Sequence, residues 1–278
     1  MELTVLVDNN TIVDHYFEGE PGLSFLIKDK GKKILFDLGY SDLFIRNANR
    51  LGINLNDVDN IVFSHGHIDH TGGLFHFFNM MAEAHLEKLM FKAPEIICHP
   101  LALEEKIDQG FCYIGTPVGK ETIGRYIDCR FTKEPFWITD DLVFLGEVPR
   151  ENDFESRNDM GNVLIDGKEA KDGLLDDSAM AYRTDKGLVI ITGCSHAGIC
   201  NIASHAMDVC GEDRIVDIIG GLHLIEPRPE VMNGTMGFFK EKKITSVRAC
   251  HCTDLASKIE LSKVSKIIEV GTGQTIEY

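Results

Sequence analysis

The chain has 278 residues, of which 44% are hydrophobic, and its 44 Asp and Glu against 28 Lys and Arg give a net charge of −16. This length and apolar content suffice for a core without stabilising disulfides. An acidic surface repels phosphate groups, which argues against nucleic acid or a membrane as partner and leaves a small-molecule substrate as the expected one. The sequence does not indicate an oligomeric state.

The N-terminal segment MELTVLVDNN alternates like a strand from the start, without a basic segment ahead of an apolar stretch. No apolar run approaches the ~18 residues that a membrane span needs. Eight cysteines are scattered along the chain without a C-x-x-C pair, which argues against a zinc ribbon or a secreted disulfide framework. We therefore expect a cytoplasmic protein with reduced thiols.

Apolar alternation predicts many short strands, and spacings of three and four predict helices between some of them. The predicted strands are 3–8, 23–29, 32–39, 60–65, 95–100, 142–148, 178–184, 187–193, 215–221, 244–250 and segments of 266–278. The predicted helices are 42–52, 73–91, 198–211 and 229–243. The early strands are joined by short turns and the later ones by helices, so two sheets with helices outside them are expected.

No internal repeat, low-complexity tract or Pro/Ser-rich linker divides the chain, which predicts a single domain over residues 1–278. Residues 101–141 are the least regular stretch. A long, weakly patterned segment inside a compact domain is often a functional loop, so we predict that 101–141 forms an active-site insertion or lid.

The segment FSHGHIDHTGGL, residues 63–74, has three histidines and an aspartate within six positions, directly after an apolar run. His65 and His67 are two residues apart at a strand end and project to the same side. Asp69 and His70 follow in a turn, where adjacent side chains diverge and reach a second ion. Imidazole is the commonest protein ligand of borderline transition metals, and ions ~3.5 to 4 Å apart are a known hydrolytic arrangement. The segment predicts a metal site, with solvated loop histidines as the alternative.

The HGHIDH run resembles the HxHxDH signature of the metallo-β-lactamase superfamily, and Asp37 in ILFDLG matches an aspartate that ends an early strand there. The segments ITGCSH (191–196), IIGGLHL (218–224) and ACHCTD (249–254) are similar to a subgroup of archaeal dihydropteroate-synthase-like metallohydrolases linked to methanopterin biosynthesis. The resemblance implies the α/β (α+β) class, as a four-layer αββα sandwich with a dinuclear site at one edge.

Two further histidines are predicted metal ligands. His196 ends the strand-like run GLVIITGCSH, which delivers a ligand-type side chain after a glycine. His251 follows the strand-like run ITSVRA, at a position that resembles the last ligand histidine of the superfamily.

The chain also departs from the superfamily pattern. The segment LLDDSAMAYRTDKG contains Asp176 but no histidine before a predicted hairpin, and Cys194 falls where a bridging aspartate is expected. Either His196 replaces one of these ligands, or Asp176 or Cys194 completes the shell, and the sequence leaves this open. His223 either lines the pocket or is packed in the core.

Asp37 ends an apolar strand, where a buried carboxylate is costly unless it is paired. We predict that it orients a ligand histidine or the loop 64–70 through hydrogen bonds, with a turn-forming role before Gly39 as the alternative.

These residues predict a metal-dependent hydrolase in which two divalent ions, zinc or alternatively manganese or iron, activate water against an ester, amide, thioester or phosphoester. Asp69 is the predicted catalytic residue, since it binds one ion and orients the nucleophile. The subgroup resemblance implies a pterin-type transferase as the alternative. A di-iron oxygen or nitric oxide reductase and an inactive binding module fit less well, because the histidine motif is intact and no flavin domain is indicated.

Overall fold

The computed structural model describes residues 1–108, 112–155 and 160–278. Eighteen strands lie within these ranges: β1 Glu2–Val7, β2 Ser24–Asp29, β3 Lys32–Phe36, β4 Asn60–Val62, β5 Glu95–Cys98, β6 Glu105–Asp108, β7 Cys112–Tyr113, β8 Asp128–Phe131, β9 Phe136–Trp137, β10 Leu142–Phe144, β11 Asn162–Ile165, β12 Lys168–Lys171, β13 Ala179–Thr184, β14 Gly187–Thr192, β15 Ile215–Gly221, β16 Ser246–Cys250, β17 Lys266–Ile267 and β18 Thr275–Glu277.

Seven helices lie in the same ranges: α1 Leu43–Arg50, α2 Ile68–Thr71, α3 Leu74–Leu86, α4 Lys120–Ile123, α5 Ile199–Cys210, α6 Pro229–Lys242 and α7 Leu255–Leu261. None of these helices has the length and apolar character to span a membrane, as judged over the described residues.

The strands form two seven-stranded sheets and one small sheet. The first sheet has the order β18-β1-β2-β3-β4-β5-β8, antiparallel as far as β3 and parallel from β3 to β8. The second has the order β17-β16-β15-β14-β13-β10-β9, parallel from β17 to β14 and antiparallel beyond. The antiparallel small sheet has the order β12-β11-β6-β7.

The two large sheets pack face to face, because their strands are apolar on the inner side. In β3, the alternation of side chains sends Ile34 and Phe36 into the core between the sheets. Phe144 and Ile191 of the second sheet belong to the same buried cluster. The shared cluster makes the two sheets the central layers of the molecule.

Helices cover the outer faces, which are also apolar. Leu35 of β3 points outward and packs in a cluster with Phe44 of α1 and Phe77 of α3. On the opposite side Ile190 of β14 packs in a cluster that includes Phe239 of α6. Strands covered on both faces read as continuous apolar runs, as β3 and β14 do. The resulting order helix, sheet, sheet, helix confirms the predicted four-layer αββα sandwich.

The predicted helices and the longer predicted strands are present, with ends that differ by a few residues. The sequence analysis missed the short elements. The region 101–141, predicted as an insertion or lid, contains β6 and β7 of the small sheet, but its later part supplies β8 and β9, the edge strands of the two large sheets. Residues 109–111 of that region lie outside the described residues. The single-domain prediction stays a prediction.

The parallel strands of both sheets end at the same rim. Asp37 follows β3, the segment 64–70 follows β4, and residues 193–196 follow β14. His223 and His251 follow β15 and β16. The carboxyl ends of parallel strands meet at one edge, so the topology brings the predicted site residues together from distant parts of the chain.

Candidate metal centre

His65 and His67 stand side by side at the start of the loop after β4. Nε2 of His65 lies 3.0 Å from Nδ1 of His67. His67 is extended and immediately precedes α2, so the chain turns into this short helix directly after it. The sequence expectation that these two rings project to the same side agrees with this geometry.

His196 joins these two histidines from the opposite sheet. Its ring centroid lies 4.8 Å from that of His65 and 5.0 Å from that of His67. Nε2 of His67 and Nε2 of His196 are buried and have no hydrogen-bond partner among the described residues. Buried polar atoms are normally satisfied, so the two unpaired nitrogens indicate a missing partner between the rings.

A second group of donors lies beside the first. One donor atom each from Asp69, His70, Cys194 and His251 lies within 4.8 Å of every other. Nε2 of His70 lies 3.1 Å from Sγ of Cys194 and 3.2 Å from Nε2 of His251. Oδ2 of Asp69 lies 3.3 Å from Nε2 of His251. Cys194 also groups with His65 and His196 within the same limit, so its sulfur lies between the two sets.

Asp37 fixes the orientation of ligand-type histidines in both groups. Its Oδ2 lies 2.7 Å from Nδ1 of His70, which leaves Nε2 of that ring facing the other donors. Ser64 donates from its amide and its hydroxyl to the two carboxylate oxygens of Asp37, at 2.8 and 2.7 Å. Because the hydroxyl donates to Asp37, it accepts from Nδ1 of His65 at 2.9 Å. The chain of hydrogen bonds therefore turns Nε2 of His65 toward the site.

The second sheet approaches this chain of hydrogen bonds through a glycine. A Cβ atom at Gly193 would lie 2.0 Å from Oγ of Ser64 and 3.1 Å from Oδ2 of Asp37. No larger residue fits at this position without moving Ser64. Gly193 thereby lets the β14 end and the β4 end meet, and Cys194 and His196 follow from it.

Three of the buried rings, those of His65, His67 and His196, have pKa values below 7 and are therefore neutral at pH 7. Burial lowers the pKa values of His65 and His196 well below the ordinary value, and it lowers the pKa of His67 to about 4. Neutral imidazole keeps the lone pair that a metal ion needs.

The second group balances charge internally. Burial alone would raise the pKa of Asp69, but His70 and His251 hold it well below its ordinary value. Burial alone would lower the pKa of His70, but the charges of Asp69 and Asp37 raise it to about 9. Asp69 is consequently a carboxylate at neutral pH.

Asp176 lies behind the histidine loop and outside the donor groups. Its Oδ2 accepts from the amide of Gly66 at 2.8 Å, and its Oδ1 lies 3.0 Å from Nζ of Lys106. Lys106 is fully buried and also pairs with Asp172 at 2.6 Å. In this geometry Asp176 supports the histidine loop from behind, and through Lys106 it joins that loop to β6 of the small sheet.

His223 lies at the opposite end of the cluster. Its ring centroid is 4.2 Å from that of His196, and it forms a third donor group with Cys194 and Cys252. His223 is exposed to solvent, whereas His65 and His70 are buried. The location at the edge of the site agrees with the expectation of a pocket-lining side chain.

A cavity of about 390 Å³ opens beside His196 and His223. Arg228 is the one cationic side chain that lines it among the described residues, and Glu226 lies on the same rim. The carboxylate of Glu155 also lines the cavity, and the apolar part of its wall consists of Phe154, Met160, Leu174, Leu222, Leu224, Ile225, Pro227 and Val231. A concave space that combines apolar side chains with a few polar groups is typical of small-molecule sites.

The donor set fits divalent metal ions. Imidazole nitrogens, a carboxylate and a thiolate are the ligands that zinc and similar ions take in proteins. The buried, unpaired Nε2 atoms of His67 and His196 are available to bind such an ion.

The comparisons with known proteins agree with this geometry. Residues 18–79 match the family model of the metallo-beta-lactamase superfamily. A relative from Methanocaldococcus jannaschii, 7,8-dihydropterin-6-methyl-4-(beta-D-ribofuranosyl)-aminobenzene-5'-phosphate synthase, is 32% identical over 251 residues, which cover 85% of this chain and 82% of the relative. An uncharacterized protein of the same organism is 31% identical over 99% of both chains.

Among solved structures, Tm1679, a metal-dependent hydrolase of the beta-lactamase superfamily, matches with a TM-score of 0.83 and 29% identity over 100% of this chain and 99% of that one. The chain belongs to the metallo-β-lactamase superfamily. Proteins of the metallo-β-lactamase superfamily generally bind divalent metal ions, in agreement with the donor set.

One donor position departs from the pattern that the sequence resemblance implied. The sequence resemblance implied a bridging aspartate where Cys194 stands, and the sulfur of Cys194 takes part in all three donor groups. The segment before the β13–β14 hairpin contributes Asp176 to the loop support rather than a histidine to the site.

Four residues at or next to the donor groups were not predicted from the sequence. Ser64 and Lys106 carry no signal, because a serine or lysine in a short polar stretch is usually exposed. Cys252 is buried, and its sulfur lies within 4.8 Å of the donor atoms of Cys194 and His223. Its position next to His251 after a strand was the available signal. Arg228 lies in a loop whose path the sequence does not fix.

Proposed function

We propose that this chain is a metal-dependent hydrolase that holds two divalent ions, zinc in the first place, and activates water against an ester, amide, thioester or phosphoester. The observation that carries the proposal is the sharing of Cys194 between two donor groups, one with His65 and His196 and one with Asp69, His70 and His251. Two groups around one sulfur supply ligands for two neighbouring ions rather than one.

The ligands of the first ion would be His65, His67 and His196, and those of the second Asp69, His70 and His251, with Cys194 between them. When bound, such ions supply an activated water near neutral pH and neutralise the charge that grows on a carbonyl or phosphoryl oxygen.

The residues of the chain itself position the reactants. Asp69 stays ionised, its side chain is 29% exposed, and it lies within hydrogen-bonding distance of His251, so its carboxylate can accept a hydrogen bond from the attacking water and orient it. Asp37 and Ser64 hold the rings of His70 and His65 in one orientation, which keeps the donors in place without reorganisation.

The cavity beside His196 supports a small-molecule substrate. Its volume of about 390 Å³ lies within the range for small ligands, and its apolar wall favours an apolar body. Arg228 at the rim favours a substrate with an anionic group, in a chain whose net charge of −16 otherwise repels anions.

The test combines metal counting with turnover. Protein purified without chelator is analysed for metals and screened against phosphodiester, ester and lactam chromogens. His67→Ala is expected to abolish metal-dependent turnover while circular dichroism stays unchanged. His85→Ala replaces an exposed histidine on α3 and is the matched control, expected to keep full activity. Unaltered turnover by metal-counted His67→Ala protein would remove the proposal.

A pterin-type transferase is the second candidate. The relative that is 32% identical over 85% of this chain is named as a synthase of a dihydropterin aminobenzene phosphate compound. Arg228 and the apolar wall of the cavity are also compatible with an aromatic substrate that carries phosphate. Product analysis after supplying a pterin diphosphate and an aminobenzoate tests this candidate. A condensation product would favour transfer, and pterin alcohol with free pyrophosphate would favour hydrolysis.

A further inference from the structure

Two donors outside the two groups of the proposed function, His223 and Cys252, converge with Cys194 at one side of the site. One donor atom each from Cys194, His223 and Cys252 lies within 4.8 Å of the other two. Two ligands on opposite sides of one zinc ion are at most ~4.6 Å apart, since Zn–S and Zn–N bonds measure about 2.3 and 2.0 Å. The upper limit of 4.8 Å on the distances between the three donor atoms is close to this value, so the three donors lie near enough to one another to bind one ion.

The loops that carry these donors are fastened to one another. The amide of Leu222 donates to Oγ1 of Thr253 at 3.0 Å, and the amide of Asp254 donates to the carbonyl of Leu224 at 3.0 Å. Ser195 donates from its hydroxyl to the carbonyl of Gly221 at 2.7 Å. The ends of β14, β15 and β16 thus form one unit, which holds His223 opposite Cys252.

The backbone at this unit is strained. Ser195, His223 and His251 have φ values of 65°, 49° and 50°, in the left-handed region that only a few per cent of residues other than glycine adopt, with asparagine, aspartate and histidine the most frequent among them. Such outliers persist only where the surroundings fix them, and they concentrate at functional sites. Here each outlier is one of the donors or is adjacent to one, so the strain serves to direct donor side chains into one volume.

A glycine makes room for the sulfur of Cys252. A Cβ atom at Gly221 would lie 2.6 Å from Sγ of Cys252 and 2.5 Å from the carbonyl of Gly193. Sγ of Cys252 lies 3.5 Å from the carbonyl of Cys194 and within 4.8 Å of the donor atoms of Cys194 and His223. The sulfur is thereby held against the other donors.

We propose that Cys194, His223 and Cys252 form a thiolate-rich metal subsite that makes the centre selective for thiophilic ions such as zinc, cobalt(II) or iron(II) over manganese or magnesium. Thiolate ligands favour the former ions and carboxylate or water ligands the latter. The subsite shares Cys194 with the donor groups of the proposed function and in this respect rests on it. Its own content is that Cys252 and His223 bind metal.

Cobalt(II) substitution tests the subsite without turnover. A cobalt ion bound by thiolate absorbs in the near ultraviolet through sulfur-to-metal charge transfer. With two thiolates bound, Cys252→Ser is expected to lose about half of this band, and His223→Asn to weaken cobalt binding and shift the visible bands. Cys129→Ser, a half-buried thiol on β8 outside the donor groups, is the matched control and is expected to keep the wild-type spectrum. A Cys252→Ser spectrum equal to wild type would overturn the subsite.

A second measurement uses the unaltered protein, in case Cys252→Ser does not fold. Zinc-edge X-ray absorption counts sulfur neighbours near 2.3 Å. Cys194 alone, bridging two ions, supplies at most one sulfur per ion, so a mean count above one supports the subsite and a count of one or less overturns it. Failure of the proposed function would be seen separately, as metal-loaded protein that turns over none of the chromogens or pterin substrates.

Discussion

Oδ2 of Asp37 lies 2.7 Å from Nδ1 of His70, and both side chains are completely buried. The same oxygen accepts from Oγ of Ser64, which in turn bonds to His65. One carboxylate therefore sets the orientation of a histidine in each donor group. The backbone of Asp37 has a φ of 56°, so the chain accepts local strain to present this carboxylate.

Replacing Asp37 with Asn is expected to weaken metal binding. All contacts of the Asp37 carboxylate come from donors, so the amide NH₂ of Asn would face one of them. Loss of an orienting carboxylate of this kind typically costs 10- to 100-fold in affinity or activity, and about this loss is expected in a zinc competition titration. Asp57→Asn, an exposed carboxylate paired with Lys33, is the control. Equal zinc affinities for both variants would contradict the orienting role.

Replacing Gly193 with Ala is expected to destabilise the protein and disturb the site. The added Cβ would lie 2.0 Å from Oγ and 2.6 Å from Cβ of Ser64. Overpacking of a tight core site costs about 1 to 3 kcal/mol, measurable as a lower free energy of unfolding in urea. The double variant with Ser64→Gly removes the clashing atoms and should recover part of this stability. If the double variant were no more stable than Gly193→Ala alone, the clash would not be the cause.

Replacing Lys106 with Met is expected to be strongly destabilising. Lys106 is fully buried between Asp172 and Asp176, and its loss leaves two buried carboxylates without a cation. Breaking a buried pair in this way costs about 3 to 5 kcal/mol, to be measured by urea unfolding at pH 7. Lys168→Met, an exposed lysine on β12 of the same small sheet, is the control and should change the stability little. Similar losses in the two variants would refute the pairing.

The contribution of Lys106 should depend on pH. Burial alone would raise the pKa of Asp176, but Lys106 holds it below the ordinary value of 3.8, and burial alone would lower the pKa of Lys106, but Asp176 raises it above 10.5. The lowered pKa of Asp176 stabilises the folded protein above pH 3.8, and this stabilisation is lost as the pH falls through the pKa of Asp176 in the folded protein. The raised pKa of Lys106 stabilises the folded protein below pH 10.5, and this stabilisation is lost as the pH rises through the pKa of Lys106 in the folded protein. The stability difference between wild type and Lys106→Met should be largest between these limits. If the stability difference between the two proteins stayed constant as the pH fell well below 3.8, the ion pair of Lys106 and Asp176 would not be its cause.

Replacing Arg228 with Gln is expected to change substrate preference. Arg228 is the cation at the rim of the cavity beside His223. Removing it should raise KM for anionic substrates about tenfold, the equivalent of ~1.4 kcal/mol, and leave KM for neutral analogues and kcat nearly unchanged. Arg125→Gln, an exposed arginine just after α4, is the control. An equal change of KM for charged and neutral substrates would argue against anion recognition.

The sequence predicts the large sheets and the long helices because their apolar patterns are determined locally. Strands such as β3, with KKILF, and helices such as α5 bury whole faces and show their period. The small sheet escapes prediction, because β12, with KEAK, is exposed along its length and shows no apolar face in the sequence. Likewise β8 and β9 are short edge strands whose place depends on neighbours far away in the chain.

The site divides in the same way. The HGHIDH segment is contiguous, so its donors are visible in the sequence. The contacts of Cys252 with Cys194 and of Lys106 with Asp176 depend on how β6, β14 and β16 lie in space. A cysteine or lysine in isolation has no signature for such a partner, whereas Asp37, at an apolar strand end, was recognisable as a carboxylate that needs one.

The donors come from segments after four different strands, from His65 after β4 to Cys252 after β16. An unfolded or truncated chain would therefore retain only the histidine cluster of one loop and lose most of its capacity for chelation. Ion binding and completion of the tertiary structure are thus thermodynamically coupled, and saturating ions would stabilise the folded state by linking the two sheets of the sandwich. Depletion of such ions would expose the protein to proteolysis before it altered any single strand.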